Sequence, residues 1–312
     1  MKNLKKIKGD ASFRQFFRKK NKNYNSIIVF SKKDKFKNLL VYDAINKVLI
    51  KNKILAPFLY KENYKKNYIE IQDFGNNTIF KILNKKNNNR NNYFKKIIKI
   101  LNKLQLIKEK KIKNFKKKNY IIPEYKKEIL IKEANLFCDW YVKKKLPAGR
   151  RGKYIKKFKK IIKKIALNLK LKNKVFVHRD FHVSNLMLLN NQIGVLDSQD
   201  ALIGNPAYDV ASLIDDVRFK TPMSLKKRIY NSYTKKMKKS EKHKFKNDFE
   251  ILSVLRNLKI IGIFTRLSIR DRKKNYLKLI PYTWTLIGIR IHENKVFKDL
   301  KILLNEEFKI NK

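Results

Sequence analysis

Residues 177–200, VHRDFHVSNLMLLNNQIGVLDSQD, decide how the rest of the chain is read. They lie in a chain of 312 residues with 79 lysines and arginines against 25 acidic residues, a formal net charge of +54. Yet from His178 to Asp216 there are six aspartates, one arginine and no lysine. Upstream, KVFV is a short apolar strand that ends at His178. A loop follows with Asp180 and, five residues on, Asn185. LMLLN and IGVL then read as strands joined by the polar turn NNQ, the second delivering Asp197. This strand–loop–strand–turn–strand order is expected to bring Asp180, Asn185 and Asp197 to one end of a small sheet.

Transfer of a nucleotide γ-phosphoryl group to a hydroxyl needs these three groups. One carboxylate must orient the attacking hydroxyl and accept its proton, a task suited to Asp180. Mg²⁺ bridging the phosphates takes hard oxygen ligands, which Asn185 and Asp197 can supply. The spacing fits the kinase catalytic-loop pattern, His-Arg-Asp with Asn at the fifth following position and a metal aspartate about a dozen residues on. An aspartate after a strand is more often a turn or cap residue. That explains any one of the three but not their joint spacing. His178 is expected to brace the loop by hydrogen bonds, and His182 to be structural. Asp200 suits a second metal or a turn. Asp209, in NPAYDVASLI, is expected to cap a helix or tie the loop down.

The composition outside the island is less specific. Most of the basic residues are lysine, whereas base-edge and phosphate recognition draws on the arginine fork. Lysine, isoleucine and asparagine are inflated together, as an A/T-rich coding sequence would produce, so no specific nucleic-acid partner is implied. A single cysteine, Cys138, rules out a disulfide framework and suits a reducing compartment. The first residues lack the apolar run of a secretion signal, and no stretch reaches membrane-span length. A cytoplasmic protein with no membrane association and no required protein partner is expected.

Along the chain, SFRQFFRKK and NSIIVFS read as an antiparallel strand pair joined by NKNYN. NLLVYDAINKVLIKN has helical spacing, and NYIEIQDFG reads as a strand closed by Gly75. The low-complexity stretch at 84–92 reads as a solvated loop or insertion tip. Beyond it, YFKKIIKILNKLQLI and YIKKFKKIIKKIALNLKL are amphipathic; the second could lie on a membrane, but an apolar stripe through Ile155, Phe158, Ile162, Ile165 and Leu169 packed on a core is the simpler reading. The expected fold class is α+β, with a small β-rich lobe at 1–75 that covers a nucleotide. A larger, mainly helical lobe at 76–312 carries the catalytic loop, the metal site and the substrate-binding helices.

With those residues in place, the chain resembles the aminoglycoside phosphotransferase-like small-molecule kinases, which share the protein-kinase fold. Within them it is most similar to the bacterial anomeric kinases of N-acetylmuramate and N-acetylglucosamine, which serve cell-wall sugar recycling. The resemblance runs through GDASFRQFFR (9–18), IQDFGNNT (71–78), EANLFCDWYVKKKL (133–146), HRDFHVSNLM, GVLDSQDALIGNPAYDVASLIDD and LRNLKIIGIFTRLSIRD (255–271). It implies ATP held between two lobes with Mg²⁺. The phosphates would lie under a turn in which Asp10, Ala11, Ser12 and Phe13 present backbone N–H groups. Adenine would meet the backbone from Ile71 to Asp73. The sugar would meet Glu133, Trp140, Arg256 and Arg266, a tryptophan face suiting a pyranose and arginine a lactyl carboxylate. Core packing and surface pairing remain open for Trp140 and Arg256.

Two positions depart from the family pattern. No strand lysine of the usual kind precedes the helix, which leaves Arg14, Arg18 and Lys32 as candidates to face the α- and β-phosphates. Ser198 stands where relatives commonly have phenylalanine, and it is expected to loosen the packing behind the site. The expected reaction is phosphoryl transfer from ATP to a sugar hydroxyl. The rivals are the same machinery acting on an aminoglycoside or choline-like acceptor, and a non-catalytic pseudokinase that binds an acidic partner.

Overall fold

The computed structural model describes residues 4–7, 14–32, 37–85 and 89–308. Contacts group the chain into two compact units, 1–123 with 175–203, and 124–174 with 204–312. The expected division at 75/76 followed chain order. The contact units instead place the 175–203 segment with the N-terminal sheet.

In the first unit, strands β1 (Leu4–Ile7), β2 (Gln15–Lys20), β3 (Asn25–Phe30), β4 (Leu59–Asn63) and β5 (Tyr68–Gln72) form an antiparallel sheet in the order β1-β2-β3-β5-β4. The expected hairpin is β2–β3, in register Gln15↔Phe30 through Lys20↔Asn25. Period-two alternation puts Ile27 and Val29 of β3 and Ile69 and Ile71 of β5 on one face. Leu39 and Tyr42 of helix α1 (Lys37–Lys51) pack there. Helices α2 (Ile79–Leu83) and α3 (Arg90–Gln105) follow, then the hairpin β6 (Lys111–Lys113) and β7 (Asn119–Ile121). Part of the stretch expected to be a loop is helical: Asn89 caps α3 by accepting from the Asn92 N–H, while 86–88 lie outside the described residues.

The late segment supplies β8 (Val175–Val177), β9 (Leu186–Leu189) and β10 (Gln192–Val195). β9 and β10 form a hairpin turned by Asn190 (φ 46°) and Asn191 (φ 60°), the two left-handed residues a tight primed turn needs. β8 does not join that hairpin. It pairs with β11 (Leu202–Gly204), so two small sheets stand where one was expected.

The second unit is helical: α4 (Lys127–Ala134), a wide turn of helix at Phe137–Val142, α5 (Lys143–Lys145), α6 (Ala148–Leu167), α7 (Ala207–Ile214), α8 (Met223–Thr234), α9 (Lys239–Arg270), α10 (Ile280–Glu293) and α11 (Lys298–Phe308). The apolar stripe of α6, through Phe158, Ile162 and Ile165, joins the main core of this unit. Its burial accounts for the helix's amphipathicity without a membrane. None of the described helices is long and apolar enough to cross one. α9 runs through the middle of this core, and Gly262 on it touches the preceding turn closely. A Cβ there would stand 2.3 Å from the carbonyl carbon and oxygen of Leu136.

Candidate active site

The candidate catalytic loop is held together by short-range hydrogen bonds. The Asn185 amide nitrogen donates to the Asp180 carbonyl over 3.0 Å, a bond that does not use its amide oxygen. The His182 N–H donates to the same carbonyl at 3.1 Å, and the Asn185 N–H to the His182 carbonyl at 2.9 Å. Asp180 itself is half-buried. Arg179, just before it, has φ 74°, a left-handed conformation that an arginine adopts only where surrounding contacts impose it.

The loop also grips the residue ahead of Asp197. The Leu196 N–H donates to the Asn185 carbonyl at 2.9 Å, and the Leu196 carbonyl lies 2.9 Å from Nε2 of the fully buried His178. Both polar atoms of one residue are fixed, and Asp197 leaves it in the left-handed region at φ 60°, ψ 39°, which a short polar side chain tolerates.

Asp197 keeps about 40% of its side chain exposed, while its Oδ1 accepts from Arg14 Nη2 at 2.6 Å. Arg14 Nη1 donates to Gln199 Oε1 at 2.7 Å, and the Gln199 amide donates to Asp200 Oδ2 at 2.9 Å. The guanidinium lies 5.4 Å from the Tyr42 ring centre and 5.7 Å from that of Phe16. Burial pushes the Tyr42 phenol up to about 12 even with the Arg14 charge beside it. One turn along α1, Asn46 accepts the Ser198 hydroxyl at 2.8 Å and donates to the Pro57 carbonyl at 2.9 Å. Ser198 is fully buried and satisfied, so the packing behind Asp197 is a polar lock, not a looser version of a phenylalanine contact.

Asn185 and Asp197 together offer one amide oxygen and one carboxylate. Among the described residues no group of three His, Cys, Asp or Glu side chains gathers as a metal site. A two-oxygen partial shell nevertheless fits Mg²⁺, which keeps waters and takes phosphate oxygens for the remainder.

The strand expected at the adenine position is β5, with Ile71 buried in the sheet core. Asp73 follows it with both carboxylate oxygens engaged: Arg18 Nε and Nη2 reach them at 2.5 and 2.9 Å, and the Gly75 N–H donates at 2.8 Å. Gly75 has φ 77°, which the turn requires and glycine provides. The intervening Phe74 ring lies over Gly194 of β10, where a Cβ would meet it at 2.4 Å. This segment is thereby packed on the catalytic hairpin. Lys32 is exposed after β3. Asp10, Ala11, Ser12 and Phe13 lie outside the described residues.

Glu133, Trp140, Arg256, Arg266 and Asp209 belong to the second unit. Glu133 accepts from the Tyr125 hydroxyl and pairs with Lys259 at 3.0 Å. Trp140 is half-buried in the wide turn; the ring stacked into the aromatic cluster of Phe137 and Phe308 is Trp284. Arg256 is 5% exposed, and its Nη1 is buried with no hydrogen-bond partner; the Arg266 Nε is likewise unmatched. Asp209 is not the cap of α7. Pro206 holds that position, Asn205 Oδ1 accepts from the Ala207 N–H at 3.0 Å, and Asp209 sits fully buried in the first turn.

Sequence reading overlooked Asp215. Fully buried, it accepts Lys226 at 2.9 Å, Arg290 at 2.9 and 3.0 Å, and Ser253 at 2.6 Å. Burial opposes its charge, yet the two cations hold its carboxyl well below the usual carboxylate range. It lies beside an equally buried Asp216, the last residue of the acidic island.

A β-sheet unit carrying an Asp–Asn–Asp segment at kinase-loop spacing, with a helical second unit, is the protein-kinase-like α+β plan of small-molecule phosphotransferases. The chain belongs to the phosphotransferase enzyme family, whose model matches residues 3–242. It is 28% identical to the N-acetylmuramate/N-acetylglucosamine kinase of Pseudomonas aeruginosa over 87% of this chain and 79% of that one. With the protein of the same name from Pseudomonas putida it shares 26% over 95% and 86%. A third, from Neisseria meningitidis, is 36% identical, but the match spans only half the length of each protein (52% and 50%). Among solved structures, the gentamicin complex of the phosphotransferase APH(2'')-IIa superposes with a TM-score of 0.65 at 15% identity, covering 94% of this chain and 92% of that one. A choline/ethanolamine kinase family protein from Mesorhizobium loti gives 0.62 at 11%, covering 97% and 92%. At those identities the structural likeness speaks for the fold.

Proposed function

We propose that this chain transfers the γ-phosphoryl group of ATP to the anomeric hydroxyl of an N-acetylated amino sugar, N-acetylmuramate or N-acetylglucosamine. The observation that carries the reaction is the bracing of Asp180, Asn185 and Asp197 within one unit by His178 and Leu196. Half-buried Asp180 meets the acceptor hydroxyl, orients it toward the phosphorus and takes its proton. Asn185 through its amide oxygen and Asp197 through its carboxylate hold Mg²⁺, which neutralises phosphate charge when bound. Positioning supplies most of the rate, and the two hydrogen bonds on Leu196 serve it. The turn at 10–13 covers the phosphates, and the β5 end from Ile71 to Asp73 meets adenine.

The relatives named for these sugars support the acceptor class. So does the charge of the candidate pocket residues: Glu133, the one acid among them, is already matched by Lys259 and Tyr125. A cationic aminoglycoside or choline would find little to pair with there, whereas Arg256, buried with an unmatched donor, suits a sugar oxygen or a lactyl carboxylate. A small-molecule sugar is the expected partner, in the ATP-supplied cytoplasm. The test is ADP release with ATP and Mg²⁺ across N-acetylmuramate, N-acetylglucosamine, glucosamine, kanamycin and choline, with Asp180→Asn as the blank. Turnover confined to the N-acetyl sugars supports the proposal; turnover on kanamycin or choline alone sinks the acceptor. Nucleotide binding without any turnover would favour the pseudokinase.

A further inference from the structure

We propose that Arg14 replaces the lysine that faces the nucleotide phosphates in kinases, with Tyr42 and Gln199 holding it at the metal aspartate. The inference rests on the kinase reading above and goes beyond it, since sequence alone left three cations to choose from.

The structure separates them by what each side chain already holds. Arg18 spans both oxygens of Asp73, the Asn76 amide oxygen at 2.9 Å and the Gly75 carbonyl at 3.0 Å. It is a clamp on the segment after β5. Lys32 is exposed beyond the end of β3. Arg14 alone is both buried, at 5% exposure, and in contact with the metal-site carboxylate.

The chemistry of that contact favours arginine over lysine. A planar guanidinium can donate to Asp197 and Gln199 from two separate nitrogens, 2.6 and 2.7 Å away, while its face lies against Tyr42 and Phe16. An ammonium is a point charge and cannot bridge two acceptors in one plane while stacking. Stripped of water by those rings, the cation acts at low dielectric, where charge-assisted hydrogen bonds are strongest. It also occupies only Oδ1 of Asp197. Oδ2 is left for a divalent ion, and phosphate oxygens bound to that ion come within reach of the same guanidinium. Arg14 thus orients the carboxylate and supplies positive charge to the phosphates.

The experiment is calorimetric titration of the full chain with ADP and with AMP in Mg²⁺, for the wild type and for Arg14→Gln, Arg14→Lys and Arg18→Gln. Comparing the two nucleotides isolates the phosphate term from adenine binding. Wild type is expected to prefer ADP. Arg14→Gln should lose about tenfold or more of its ADP affinity with AMP little changed, so the preference collapses. Arg14→Lys should recover part of it, and Arg18→Gln should weaken both nucleotides alike. A folded Arg14→Gln protein with the wild-type preference overturns the inference, as does a collapse caused by Arg18→Gln instead. If Arg14→Gln melts too low to titrate, Arg14→Met, which keeps an apolar stem and loses the charge, decides: undiminished ADP preference overturns the assignment. A wild type that binds neither nucleotide defeats the kinase reading itself, a result distinct from all of these.

Discussion

Ser198 donates its hydroxyl proton to Asn46 across 2.8 Å, joining the residue after Asp197 to helix α1. Both side chains are buried, and Asn46 spends its amide donor on the Pro57 carbonyl. α1 is therefore tied to the Asp197 loop by a hydrogen bond rather than by an aromatic plug.

That tie is measurable as a coupling energy. Asn46→Ala and Ser198→Ala should each cost about 1–3 kcal/mol, because each leaves a buried polar group unmatched. The double variant should cost less than their sum, with a coupling of roughly 1 kcal/mol. Urea denaturation of the four proteins checks this, and strict additivity would refute the bond's contribution.

The His178 ring and the Asn185 backbone carbonyl converge on Leu196. Asn185→Ala keeps that carbonyl but removes the side-chain amide expected to reach the cation, and is expected to lower kcat by roughly 10²-fold. His178→Ala should cost about 1–3 kcal/mol of stability through the orphaned Leu196 carbonyl, and slow turnover as Asp197 shifts. Steady-state kinetics with matched melting curves separate the two; a His178→Ala enzyme that turns over at full rate would count against the bracing role.

The Asp215 cluster makes a pH prediction. Its carboxyl titrates below the unfolded value of 3.8, so its stabilisation is full above that pH and is lost as pH falls through and below it. Asp215→Asn should cost about 3–5 kcal/mol at pH 7, since Lys226 and Arg290 would be left buried without their anion. The variant should also show a shallower decline in stability on acidification. Denaturation midpoints at pH 3 and pH 7 for both proteins test the sign.

Gly262→Ala should destabilise by about 1–3 kcal/mol, because the new methyl would meet backbone at Leu136 that has no rotamer to change. Most glycine-to-alanine changes inside a helix stabilise it. A raised melting temperature would show that the two segments can part without cost.

What the sequence disclosed follows the range of each interaction. His178, Asp180 and Asn185 lie within eight residues, so their spacing records their geometry directly. The β2–β3 hairpin and α1 were visible as alternation and helical periodicity for the same reason. Arg14 and Asp197 are 183 residues apart and Asn46 and Ser198 152 apart, and nothing local marks such partners. Asn46 reads in isolation as an ordinary polar residue on a helix, and Ser198 as a defect. Of the two roles expected for Asp209, capping falls away because Pro206 holds the cap position of α7 and Asn205 accepts the Ala207 N–H one turn earlier. The partner of β8 was missed because three-residue strands carry too little pattern to declare their neighbours.

The contact map of the first unit bears on how the chain acquires its site. Residues 1–123 meet the segment 175–203 only after the intervening 51 residues have been made. Closing a loop of that size has an entropic cost that must be met before any long-range contact repays it. Emerging from the ribosome, the N-terminal sheet would carry Arg14 and Asn46 without Asp197 or Ser198 to receive them. The hairpin that carries Asp197 is then the late arrival that completes the unit, and assembly of the candidate site becomes a test of whether the whole unit has folded.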